Sequence, residues 1–364
     1  MAQVKIRDVK NLIQIGLAQG IELSSLLDQC NFGFNPMEDA GRHTEVSAEQ
    51  YALLSKHIAF LLQDECFGFY RDYAVPCGTF QMMCYAILPC TTLQAAIMRM
   101  HEFANMCACI RGEPAATVEP LSVDSNGRLA HYSDPQLTVN NISDVFQSQH
   151  AIAGTLSSWH RFCSWLIGVP IELRQVSFEG RQQVNPATIQ RYFNCRPVFE
   201  QPSNALTFER RFLDMPLRQN ETSLAAFLKT THVLLLPQQQ QQSTELAIEE
   251  RVRAAIGYNF TIGTPSFDDI ANALSLPPRK LRRQLEHTGK TFRQILQEQR
   301  KEVVLSLLAR PELALNAIAA IMGFDEPSTF HRAFKKWFGM PPGQYRQVHW
   351  GGQHPMDSVQ SVSR

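Results

Sequence analysis

The feature that most constrains this chain is a small pattern that occurs twice between Phe267 and Arg346. The first copy runs Ile270-Ala271-Asn272-Ala273-Leu274, breaks at Ser275-Leu276-Pro277-Pro278, and resumes as Arg279-Lys280-Leu281-Arg282-Arg283-Gln284-Leu285. The second runs Ile318-Ala319-Ala320-Ile321-Met322, breaks at Gly323-Phe324-Asp325-Glu326-Pro327, and resumes as Ser328-Thr329-Phe330-His331-Arg332-Ala333-Phe334. Ile270 and Ile318 are 48 positions apart, Leu285 and Phe334 are 49, so one residue was inserted between them. Each copy reads as an apolar helix, a tight turn and a second helix with polar or basic residues beside apolar anchors. That is the pattern of a helix-turn-helix. Ala271 and Ala319 are small enough for the two helices to cross closely. Ser275 and Gly323 fall where the first helix must stop, and glycine suits a left-handed residue there. Ser266 with Asp269 predicts a capping box. Asp325 is the expected cap of the last helix, with Pro327 in its first turn, where a proline loses no hydrogen bond.

Between the copies, Phe292 to Arg310 places Phe292, Ile295, Leu296, Val303, Val304, Leu307 and Leu308 at helical spacing. A helix of about 19 residues spans roughly 28 Å. Such a rod can hold two helices in successive major grooves, which lie about 34 Å apart on one DNA face. Leu281 and Leu285 anchor the first of those helices inward, so Arg279, Lys280, Arg282 and Arg283 face outward or flank the groove. Arginine grips guanine O6 and N7 bidentately, and both cations bind phosphates. The charge supports this placement. The chain is neutral, 34 basic against 34 acidic residues, yet Arg279 to Lys301 holds 8 basic against 2 acidic. A charge run most often marks a solvated helix face; here the charges fall on the helix that the turn singles out.

The motifs Ile318-Ala319-x-x-Met322-Gly323-Phe324, Phe330-x-Arg332-x-Phe334-Lys335-Lys336 and Phe338-Gly339-Met340-Pro341-Pro342-Gly343-Gln344-Tyr345-Arg346 resemble the AraC/XylS family of transcriptional regulators. The resemblance implies base or adjacent backbone contacts at Arg279, Arg282 and Arg283, and places Pro327, Ser328, His331 and Arg332 at the matching positions of the second reader, with Phe330 and Phe334 buried. One departure is Pro277, which stands where a polar cap is usual and removes a backbone donor for a phosphate. Regulators of this kind mostly activate transcription. The resemblance therefore implies a bacterial, cytoplasmic, nucleoid-associated homodimer that binds double-stranded promoter DNA and works with RNA polymerase.

Ahead of this region, periodicity predicts helices over Met1–Cys30, Ser47–Leu62 (Ser47 capping), Thr91–Cys107, Val145–Trp165, Thr188–Phe193 and Ser223–Leu236. A hairpin is expected over Ala116–Val123 and Arg128–Tyr132 around Gly127, with strands at Glu172–Phe178 and Leu206–Glu209. The fold expected is α+β at residues 1–236, then a Gln-rich linker at 237–244, an all-α unit at 245–348 with two helix-turn-helix motifs joined by a long helix, and a disordered tail at 349–364. Gly78-Thr79-Phe80 to Ala96, Arg191 to Phe199 and Asn204 to Phe208 resemble the arabinose-binding-like sensor domain of one branch of the same family. That resemblance implies a small-molecule effector and self-association. Tyr70, Arg71, Tyr85, His101 and Trp159 are candidate ligand contacts, although core packing explains Trp159 as well.

No run of 18 apolar residues is present, which argues against a membrane span. Met1 to Gly20 is not a signal peptide. Nine cysteines read as reduced, mostly buried thiols; Cys107-Ala108-Cys109 is too close for a usual zinc pair, and no metal or other cofactor is expected. No Gly-x-Ser-x-Gly, phosphate-binding glycine loop or His-Glu-x-x-His occurs, so nothing points to an enzyme. Two readings remain: a regulator controlled by a small molecule in its N-terminal domain, or a ligand-independent regulator whose N-terminal domain serves only self-association or protein partners.

Overall fold

The computed structural model describes residues 3–27, 30, 32–38, 44–113, 116, 118–138, 141–143, 148–183, 185–234 and 248–350. The chain divides into two compact units, Met1–Leu217 with Ser223–Glu245, and Arg218–Thr222 with Leu246–Arg364. The expected linker at 237–244 lies outside the described residues.

The N-terminal unit opens with a short strand β1 (Gln3–Lys5), helices α1 (Ile6–Ala18) and α2 (Leu23–Leu27), strand β2 (Glu45–Ser47) and helix α3 (Ala48–Leu62). In α1, Val9, Leu12 and Ile13 recur at helical spacing and are fully or nearly buried. They pack with Leu26, Leu54 and Ile58 in one apolar cluster. Ser47 caps α3 as expected, and the Gln50 side chain returns the bond to complete a capping box. Helices α4 (Thr79–Ile87) and α5 (Leu93–Ile110) follow.

The main sheet has five strands: β3 (Leu121–Val123), β4 (Leu129–Ser133), β5 (Leu173–Glu179), β6 (Pro197–Gln201) and β7 (Ala205–Glu209), in the order β3-β4-β7-β5-β6. All neighbours are antiparallel except β5 and β6. The predicted hairpin is present, with Gly127 at φ 67° in the turn, where a left-handed residue is required. Strand β7 is central, and its run Ala205–Phe208 is buried throughout. Helices α6 (Ser148–Ile167), α7 (Pro186–Phe193) and α8 (Glu221–Leu234) complete the α+β pattern. On α6, Phe162 stacks on Trp165 with ring centres 5.9 Å apart and meets Phe80 at 5.3 Å, so this aromatic set is packing.

The C-terminal unit is helical: α9 (Ile248–Ile256), α10 (Phe267–Ala273), α11 (Pro278–Thr288), α12 (Phe292–Leu308), α13 (Leu315–Ile321), α14 (Pro327–Phe338) and α15 (Pro342–Trp350). The central α12 therefore has 17 residues, roughly 26 Å at 1.5 Å per residue. Ile295, Val303, Val304, Leu307 and Leu308 form its buried face. Ile270, Leu281, Ile318, Phe330 and Phe334 are wholly buried; each such side chain contributes about 1.5–3 kcal/mol by leaving water. Helix α15 includes His349 and Trp350, so regular structure runs two residues beyond the boundary expected at 348.

Candidate functional site

The two helix-turn-helix motifs close by the same backbone chemistry. In the first, the Leu276 N–H donates to Ala271 O at 2.9 Å and the Ser275 N–H to Asn272 O at 3.0 Å. In the second, the Phe324 N–H donates to Ala319 O and the Gly323 N–H to Ala320 O, both at 3.0 Å. This is the paired bonding that ends a helix on a left-handed residue. Gly323 has φ 71° and Ser275 φ 56°, so the serine holds a conformation that disfavours side chains. A methyl group at Gly323 would come within 2.5 Å of the Phe260 carbonyl oxygen, a second reason for glycine.

The readers begin differently from the expectation in one respect. The Ser266–Asp269 capping box on α10 forms in full. Asp325, however, does not cap α14: the N-cap is Glu326, without a side-chain bond, and Pro327 supplies the fixed φ of the first position. Helix α11 starts the same way, with Pro277 as the cap and Pro278 behind it. A proline at the first position removes one of the unpaired N–H groups of the helix start and fixes its φ, while the N–H of the next residue stays open to solvent or a ligand.

On α11, Leu281 and Leu285 face the core while Arg279, Lys280, Arg282 and Arg283 are exposed. At about 100° per residue, Arg283 points directly away from Leu281 and Leu285, Arg279 and Lys280 lie about 40° and 60° to either side, and Arg282 sits on the flank. Among the described residues, none of these four cations pairs with a carboxylate. The Arg282 guanidinium rests 5.5 Å from the Phe267 ring centre. On α14, Phe330 and Phe334 are buried; Pro327, Ser328 and Arg332 are exposed, and His331 is half-buried on the flank with its ring edge-on to Phe330. Arg332 donates to the Thr329 hydroxyl at 3.3 Å. The same outward stripe carries Thr329, Lys335 and Lys336, all exposed and absent from the expected contacts. The signal for them was the spacing of Lys335 and Lys336 three and four positions after Arg332.

Other basic residues of this unit hold the fold. Arg253 bridges Glu249 and Glu298, and the Lys290 ammonium joins the same two carboxylates at 2.8 and 3.1 Å. These bonds hold both carboxyl groups below the usual range, Lys290 being the largest cause for each. Arg300 lies 4.6 Å over the Phe324 ring and donates to Met322 O at 2.9 Å, which ties α12 to the second turn. Arg346 donates to Leu308 O and Leu313 O. The basic excess around Arg279–Lys301 thus separates into structural cations and an unpaired outward set.

In the N-terminal unit the candidate ligand residues fall in several places. Tyr70 stacks on Tyr73 with ring centres 4.6 Å apart, and its backbone bridges to Ile142. Arg71 donates to Ile142 O at 3.1 Å. His101 lies on α5, where Nε2 meets the Asn105 side chain at 3.0 Å. Tyr85 is exposed on α4. Trp159 lines a separate cavity of about 10 Å³ with Ile97, Tyr132, His160, Cys163 and Leu206, room for about one water. His160 Nε2 donates to Ile171 O at 2.7 Å, while Nδ1 has no partner; burial lowers its pKa to about 4, so the ring is neutral. His160 stands beside Trp159 on the apolar helix that the sequence already offered as a pocket floor, whereas Tyr132 on β4 shares no spacing with them. All nine cysteines are free thiols; Cys77 and Cys109 are exposed, against the buried state expected of most. No described helix is long and apolar enough to cross a membrane.

A helical unit with two matched helix-turn-helix motifs behind an α+β unit defines a class of two-part regulators. Residues 20–217 match the family model of the arabinose-binding N-terminal domain of the AraC transcription regulator, and residues 270–348 match a helix-turn-helix domain model. The chain belongs to the AraC family of transcription regulators. It is 30% identical over 201 residues to the ornithine utilization regulator of Pseudomonas aeruginosa, covering 55% of this chain and 58% of that protein. It is 33% identical to the HTH-type transcriptional regulator VirS of Mycobacterium tuberculosis over 29% of this chain and 32% of that one. These matches span about half or less of each relative. The solved transcriptional regulator CdpR of Pseudomonas aeruginosa aligns over 95% of this chain and 99% of its own at 16% identity with a TM-score of 0.29.

Proposed function

We propose that this chain is a sequence-specific DNA-binding regulator that reads two neighbouring stretches of major groove, with Arg279, Lys280, Arg282 and Arg283 on α11 and Pro327, Ser328, His331 and Arg332 on α14. The observation that carries this reading is the unpaired cationic stripe of α11 on a helix whose opposite face is locked into the core. A cation with no carboxylate partner has no ion pair to break before it meets a phosphate or a guanine edge. The N-terminal unit binds a small-molecule effector and mediates a homodimer, and the complex activates transcription with RNA polymerase in the cytoplasm. Effector control requires the ligand to favour one arrangement of the DNA-binding units over another. No catalytic step belongs to this account.

The test is a gel-shift titration of full-length protein on a duplex chosen by selection from random sequence. Arg279→Ala or Arg282→Ala should cost about 1–3 kcal/mol and relax preference at one base pair if the side chain reads a base. Arg283→Ala with uniform weakening on all sequences would mark a phosphate contact. Unchanged affinity and preference in all three variants would remove α11 from the interface.

A further inference from the structure

Helix α3 is anchored on one face and bare on the other. Tyr51, Leu54, Ser55 and Ile58 are buried on the inner face, and the Ser47–Gln50 capping box fixes the start of the helix. The outer face carries Glu49, Leu53, Lys56 and Phe60, all exposed. Leu53 is 48% and Phe60 65% exposed. One exposed leucine is ordinary, but a row in register is not. These four residues are spaced four, three and four positions apart, the repeat of a coiled-coil seam. At about 100° per residue they lie within about 60° of one another. Neither Glu49 nor Lys56 has an ion-pair partner among the described residues. Seven positions, about 10 Å of helix, keep them from pairing with each other.

The row is complementary to itself. In a parallel pair of such helices, Glu49 would face a second Glu49 and Lys56 a second Lys56, and like charges set against each other oppose association. An antiparallel pair about a two-fold axis at Leu53 reverses this. Glu49 lies four residues, about 6 Å, to one side of that axis, and Lys56 three residues, about 4.5 Å, to the other. Lys56 of the second copy therefore stands level with Glu49 of the first to within about 1.5 Å along the helix, and the symmetry forms the same pair twice. Leu53 meets Leu53 at the centre, while Phe60, about 10.5 Å out, covers the start of the opposing helix. Exposed ion pairs add little affinity; here they select the antiparallel arrangement over the parallel one.

We propose that the outer face of α3 is the surface through which two copies of this chain associate, antiparallel about Leu53. This names the surface behind the homodimer proposed above and rests on that reading. The test is sedimentation velocity of the full-length protein over a range of concentrations. A helix of 15 residues, about 22 Å long, covers less than the roughly 800 Å² per partner of a standard interface, so a reversible dimer is expected for the wild type. Leu53→Asp and Phe60→Asp should each raise the dissociation constant about tenfold or more. Ile110→Asp, at the 77% exposed residue that ends α5, should leave it unchanged. Glu49→Lys and Lys56→Glu should each weaken the dimer severalfold, and the double variant should recover it, an outcome that misfolding cannot produce. A dimer that persists in Leu53→Asp and Phe60→Asp, or that is lost in Ile110→Asp, overturns the α3 surface and leaves self-association standing. Failure of the double variant to recover overturns the antiparallel pairing. A wild-type protein that stays monomeric at every concentration removes the self-association reading itself.

Discussion

The turn residue of the second reader gives the sharpest quantitative test. In Gly323→Ala the backbone must keep φ near 71° to preserve the two bonds that end α13. Holding an L-residue there costs about 1–2 kcal/mol. The new methyl also meets the Phe260 carbonyl oxygen at 2.5 Å, closer than real side chains approach, and backbone cannot swing aside as a flexible side chain can. A minimum of about 2–3 kcal/mol of destabilisation follows once that shift is included. For a unit of about 100 residues this lowers the melting temperature by roughly 10–20 °C, at about 4–8 °C per kcal/mol. The first reader supplies the control. Ser275→Gly relieves a strained serine at φ 56° but adds unfolded-state freedom worth about 0.5–1 kcal/mol, so it should be neutral or stabilise by up to about 1 kcal/mol. The assay is calorimetric melting of full-length protein, followed on the transition of the C-terminal unit. A Gly323→Ala protein that melts within a degree or two of wild type would refute the reasoning, and so would a Ser275→Gly protein that loses several degrees.

Other outcomes follow from the same geometry. Ser266→Ala removes the capping box of α10 and should cost about 1 kcal/mol in urea unfolding without changing base preference. Arg300→Ala should cost about 2–3 kcal/mol in the same measurement, since it loses a charged bond to Met322 O and its place over Phe324. His160 is neutral in the fold with its pKa lowered to about 4. Its contribution is therefore complete above the unfolded value near 6.5 and is lost as pH falls through about 4, on the order of 3 kcal/mol in all. Melting followed from pH 7 to pH 4 should fall less steeply in His160→Gln than in wild type. The ion group Glu249, Glu298, Arg253 and Lys290 has depressed carboxyl pKa values, so its small exposed contribution should fade as pH drops below the ordinary carboxylate range.

Much of the C-terminal unit was legible because its chemistry is local. A capping box, a turn residue and anchors at i and i+4 all sit within one or two helical turns, so Ser266, Gly323, Leu281 and Phe334 could be placed from spacing alone. The expected cap of α14 at Asp325 fails by one residue, because the helix starts at Pro327 and so makes Glu326 the N-cap. Strand β6 escaped notice since Pro197–Gln201 pairs in parallel with β5, and no hairpin turn announces such a pairing. The cavity beside Trp159 was partly legible: Trp159 and His160 share a helix, but Tyr132 and Leu206 join them only through the β4–β7 register. Contacts made between distant segments leave no period in a sequence. The opposite holds for Lys335 and Lys336, whose place on the outward stripe follows from their spacing of three and four positions after Arg332.

The central claim is that one chain reads two groove segments through two rigidly linked helices. Selection of bound duplexes from a random-sequence library by the full-length protein tests it most directly. The account predicts enrichment of one motif with two elements whose centres lie about one helical turn apart, with Arg279→Ala erasing preference in one element and Arg332→Ala affecting only the other. Enrichment of a single short element, or binding that shows only steep salt dependence and no sequence preference, would contradict it.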